Sequence, residues 1–180
     1  MSYLIIIGLA VIILLVFIVE VYFYNKLKMS IARINEAENN IDVLIQKKYK
    51  LLEKGINSFN DIKNYKDEAI ISEFKKVNFE EENNFNLNDI LNNFEGEFRG
   101  YIELDKKIAD NEDVLDASFE LVDTNNELNA AKKYYNRNTV KYNKLVRSFP
   151  SNIIALIYKY KVKEFYSEEK VESLEILKKK

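Results

Sequence analysis

The chain of 180 residues contains neither cysteine nor histidine. That removes thiol nucleophiles, disulfides, imidazole acid–base catalysis and nearly every zinc or haem ligand set at once. Proline occurs once and glycine four times, which is too little turn chemistry for a sheet-rich fold. A basic excess is missing as well: 27 Lys and Arg against 29 Asp and Glu give a net charge of -2 with the signs interspersed. Phosphate-backbone binding needs a concentrated positive face, so the composition gives no electrostatic case for nucleic acid and none is expected as a partner.

What is present begins with an unbroken apolar run from Leu4 to Val19, extended by Val21, Tyr22, Phe23 and Tyr24 past Glu20. Roughly 20 helical residues cross the roughly 30 Å hydrocarbon core of a bilayer, and Tyr3, Tyr22 and Tyr24 stand where amphipathic rings favour the headgroup level. No Lys or Arg precedes the run, and no small-x-small cleavage site follows it. The reading is therefore a retained transmembrane anchor over residues 1–24 rather than a cleaved signal peptide. Lys26, Lys28 and Arg33 follow closely. By the positive-inside rule the C-terminal domain lies in the cytoplasm and the N-terminus outside.

Residues 25–150 show helical periodicity throughout. Leu27, Ile31, Ile34, Glu38, Ile41, Ile45, Lys48, Leu52, Gly55, Phe59 and Ile62 recur at steps of four and three, predicting a long first helix that runs on from the anchor. A short helix around Ile70, Phe74 and Val77 follows a turn at Asn64, and residues 80–84 form a linker. The next helix is expected to start with Asn86 as its cap and to carry a seam of Leu87, Leu91, Phe94, Phe98, Tyr101 and Ile108. Within it Gly96 and Gly100 suggest a close crossing by a neighbour. The last long helix begins near Asp110 or Asn111 with a coiled-coil-like seam of Ala117, Leu121, Thr124, Leu128, Ala131, Tyr135, Asn138, Tyr142, Leu145 and Phe149. Pro150 stops it. The expected fold is all-α: an N-terminal transmembrane helix, then an up-and-down antiparallel four-helix bundle with long first and last helices.

Residues 151–180 read as an amphipathic tail with a charged, frayed end from Glu168 to Lys180. Ser151 is read as a cap, and Ile153, Ile154, Ile157 and Phe165 interleave with Lys159, Lys161 and Lys163. Apolar residues on more than one face need cover, from the bundle, from a partner or from the bilayer interface. A second candidate site is a polar cluster between helices formed by Asp42, Thr124 and Asn126. Its plainer reading is a buried hydrogen-bond set fixing helix register.

These residues also carry a resemblance. Ile41, Asp42 and Val43 with Lys47, Lys48 and Tyr49; Asn111, Glu112, Leu115, Leu121, Thr124, Asn126 and Ala131; Tyr135 and Asn136; and above all Ser148, Phe149, Pro150, Ser151, Asn152, Ile153, Ile154 and Ala155 resemble the LemA family of bacterial membrane proteins. The resemblance covers nearly the whole chain and implies one N-terminal membrane helix followed by a helical-bundle domain. It implies no biochemical activity. Two places depart from the family pattern: Leu51 to Gly55 lack its proline, and Asp123 replaces its glycine before Thr124.

No catalytic, cofactor or metal residues are expected, and the chain is read as a non-enzyme. The leading expectation is a membrane scaffold with protein partners, a homo-oligomer being allowed. A tethered sensor binding a small ligand near Asp42 and Thr124 is the second reading, and a hydrolase with paired carboxylates the weakest.

Overall fold

A computed structural model describes residues 2–61, 68–77 and 84–166, and everything described in it is helix, turn or extended segment without a strand. Helix α1 spans Ser2–Asn57 and closes in a 3-10 turn, Ser58–Asp61; α2 is Glu68–Phe74, α3 Asn84–Leu104, α4 Lys106–Ala109, α5 Glu112–Arg147 and α6 Ser151–Ile157. The helical class and the long first and last helices are as expected. Among the described residues three helices are long, α1, α3 and α5, while α2 has seven residues where a regular four-helix bundle would have a fourth long member. Expectations for Ile62, Asn64, most of the 80–84 linker and residues 168–180 lie outside the described residues.

The first part of α1 is long and apolar enough to cross a membrane, with a mean hydropathy of 3.3 over its best window and none of that window buried. The chain divides into two compact units, one made of residues 1–37, which include this segment, and 134–180, the other of 38–133.

In the 38–133 unit the α1 seam buries Ile41, Ile45, Leu52 and Ile56, and α3 and α5 answer with Leu87, Leu91, Phe98, Leu121 and Leu128. Ile70 and Phe74 of α2 and Phe59 of the 3-10 turn complete this core, with Phe59 stacked on Phe98 at 5.7 Å between ring centroids. Gly55 is needed by that layer: a Cβ there would stand 2.5 Å from Cζ of Phe98, inside any real contact distance. Gly96 and Gly100 have no such neighbour, nothing lying within 4 Å of an added Cβ, so the close crossing expected at them is not made.

Helix ends follow local chemistry. Asn111 caps α5 by accepting from Val114 N–H at 3.1 Å, with Glu112 and Asp113 in the first turn and Lys144 and Arg147 in the last, each sign complementing the helix dipole. The start of α3 falls at Asn84, two residues before the expected Asn86 cap. Helix α5 ends at Arg147, so Phe149 leaves the seam in a cis Phe149–Pro150 corner and stands 80% exposed. Ser151 is not the cap of α6: its buried hydroxyl lies 2.6 Å from Leu145 O, in the last turn of α5, and 2.8 Å from Ser148 O, so it serves the chain behind it instead. Lys159 takes φ 58° after α6, and Tyr160 N–H donates back to Ala155 O at 2.8 Å, a Schellman ending with lysine in the place glycine usually fills.

Candidate functional site

Three constellations stand out from the packing. The first sits inside the 38–133 unit, where Lys48 occupies a core position of α1 and is fully buried. Its ammonium reaches Glu95 Oε2 at 2.6 Å, Asn92 Oδ1 at 2.7 Å and Asn125 Oδ1 at 3.0 Å, so all three protons find acceptors. Glu95 further accepts from Asn125 Nδ2 at 2.8 Å and, through Oε1, from Arg99 at 2.7 Å. Burial alone would raise the Glu95 carboxyl, but hydrogen bonds from Lys48, Asn125 and Arg99 overcome it and hold the group below the usual carboxylate range. A polar recess of about 380 Å³ between α3 and α5 opens beside this network, lined by Asn88, Arg99 and Lys132 among others.

The second constellation clasps the tail. Residues 161–166 run extended beside α5, and two Tyr-Asn pairs seven residues apart hold them. Asn143 receives Lys163 N–H and donates to Lys163 O, both at 2.8 Å; Asn136 does the same to Tyr166 at 2.8 and 3.1 Å. Each carboxamide thus makes the paired bonds that a neighbouring strand would make. Tyr142 and Tyr135 donate to the carbonyls of Lys161 and Glu164 at 2.7 and 3.1 Å. The spacing fits because two helical turns and three extended residues both cover about 10 Å. Phe165 and Tyr166 close the clasp as buried core.

The third lies where the apolar segment of α1 ends. Tyr158 donates to Glu20 Oε1 at 2.9 Å and its ring lies 4.6 Å from that of Tyr24. That hydrogen bond, helped by partial burial and the charge of Glu20, raises the phenol of Tyr158. Nearby, a cleft of about 570 Å³ runs between residues 23–33 of α1 and the last turns of α5, lined by Phe23, Lys26, Arg33, Lys141, Lys144 and Phe149.

The family profile of LemA matches residues 37–176, most of the chain. The chain belongs to the LemA family. No curated protein and no solved structure matches it. In this LemA domain the stretch from Ser148 to Ala155 has a local explanation: it ends α5, brings the Ser151 hydroxyl to the Leu145 carbonyl of that helix and starts α6.

The residues singled out from the sequence fare unequally. Thr124 is fully buried, and its hydroxyl has no hydrogen-bond partner among the described residues. Asn126 is exposed, because two positions along a helix turn the side chain by about 200°. It is Asn125 that reaches the polar interior. Asp42 is half-buried, and burial first and Glu38 second raise its carboxyl. In the tail, Ile153 and Ile157 are exposed as a contact surface requires, as are Lys159 and Lys161. Ile154 and Phe165 are buried in their own unit, and Lys163, half-buried, is held through its backbone. Lys48 was visible as a charge in an apolar seam; its partners Glu95 and Asn125 were not.

Proposed function

We propose that this LemA chain is a single-pass, membrane-anchored helical scaffold without enzymatic activity, its domain on the cytoplasmic side and its surfaces serving protein partners. The observation that carries the reading is the unburied apolar segment of α1, which continues without a break into the helical domain. The positive flank of Lys26, Lys28 and Arg33 supports the orientation. The Glu95 carboxylate is held by Lys48, Arg99 and Asn125 and is not free to act as a general base, which weighs against hydrolysis. A ligand sensor centred on Asp42 and Thr124 has less support, since the polar recess beside Lys48 and Glu95 is lined by neither residue.

Alkaline carbonate extraction tests the anchor. The full chain is expected in the membrane pellet, and deletion of residues 2–24 is expected to release it. Recovery of the full chain in the soluble fraction would overturn the reading. A compartment reporter fused after Lys180 should be active only in the cytoplasm; activity outside would reverse the orientation.

A further inference from the structure

We propose that the cleft between α1 and the end of α5 binds the phosphodiester headgroup of an anionic phospholipid, with Phe149 and the exposed face of α6 seated in the bilayer interface. The inference rests on the membrane reading above.

Charge selects the ligand class. Lys26, Arg33, Lys141 and Lys144 converge on one cleft, and none of its lining residues is acidic, in a chain whose charges otherwise alternate. None of the four makes an ion pair among the described residues; Lys26 only leans on Tyr22, with its ammonium 3.5 Å from the phenol oxygen. Uncompensated cations from two helices are what a phosphodiester recognises.

Depth selects lipid as the source of that phosphate. Lys26 and Arg33 lie two and nine residues beyond Tyr24, about 3 and 13 Å along α1, so the cleft begins within the headgroup layer of about 5–7 Å beside the hydrocarbon and extends past it, where the long Arg33 side chain can reach back. The walls are mixed, with Phe23, Met29 and Phe149 beside the cations, as a headgroup joined to acyl chains requires. Apolar surface stands next to it: Phe149 and Leu156 are each 80% exposed and Ile157 60%. Side chains of that size left in water are a liability, whereas an in-plane helix places them among acyl chains. Continuity with the anchor fixes their position, because Tyr158 at the end of α6 is bonded to Glu20 and packed on Tyr24.

Native mass spectrometry of the full chain, delipidated in a non-ionic detergent and offered equal amounts of phosphatidylglycerol and phosphatidylcholine, tests the site. Wild type is expected to retain phosphatidylglycerol at least about fivefold over phosphatidylcholine. K141Q/K144Q, which changes exposed side chains of α5, should abolish the preference, and K26Q/R33Q should do so from the opposite wall. K106Q/K107Q, with the same loss of charge on α4, should leave it intact. F149S should weaken retention while sparing the preference. Equal retention of both lipids by wild type, an unchanged preference in either cleft variant, or an equal loss in K106Q/K107Q would overturn the proposal. So would binding of glycerol 3-phosphate as tight as that of phosphatidylglycerol, which would assign the cleft to a free phosphate. If carbonate releases the chain, the anchor reading has failed; if the chain stays in the membrane without lipid preference, only this inference has.

Discussion

Lys48 shows what a single charged residue in an apolar seam must bring with it. An ammonium removed from water costs several kcal/mol unless every proton is used, and here Glu95, Asn92 and Asn125 use all three. Removing one side of such a pair leaves the other charge buried, so K48M is expected to cost about 3–5 kcal/mol in chemical denaturation. K48M/E95M should recover a large part of that loss, and a double variant no better than K48M would refute the coupling. The seam position of Lys48 was legible because it interrupts the Ile41, Ile45, Leu52 series. Its partners were not, since Glu95 and Asn125 sit one position off the seams of α3 and α5, where solvent is the ordinary expectation. Thr124 and Asn126 cannot both face Asp42 across the helices, because a helix sends residues two apart to opposite faces. Thr124 followed the seam inward and Asn126 turned to water.

At the scale of elements, apolar periodicity placed α1, α3 and α5 well because burial of one face is what holds a helix in place. Ends were less readable. Ser151 had the composition of a cap but the geometry of a donor to the preceding helix, and Phe149 fell outside its seam once α5 stopped at Arg147. The tail clasp left almost no mark on composition, because Asn136 and Asn143 address peptide groups rather than side chains. Only the Tyr-Asn pair recurring after seven residues could have signalled it. In the variant N136A/N143A the amide protons of Lys163 and Tyr166 are expected to lose at least about tenfold in hydrogen-exchange protection, each having lost a partner worth about 1–3 kcal/mol when buried. Retained protection at both would show that the packing of Phe165 and Tyr166 alone fixes the segment.

For the whole molecule, the balance of charge is close to neutral, and two carboxyls among the described residues, Glu95 and Asp42, respond to acid in opposite directions. Glu95 lies below its ordinary value of 4.5 in the fold, so its contribution to stability is complete above that pH and is lost as pH falls from there through the depressed value. Asp42 is raised above its ordinary 3.8, so its contribution has the opposite sign: it opposes folding when ionised and relents as it protonates. The melting midpoint is therefore expected to fall below pH 4.5, with a shallower fall in E95Q and a steeper one in D42N. Identical acid limbs in wild type and E95Q, followed by circular dichroism, would remove Glu95 from this account.

The two carboxamides of α5 grip residues 161–166 by atoms that every amino acid but one possesses. What the grip reads is the path of the main chain and not its spelling. Exchange of exposed letters such as Lys161 and Val162 should therefore carry little thermodynamic penalty, whereas an imino acid at 163 or 166, having no hydrogen to offer, would unfasten the strap.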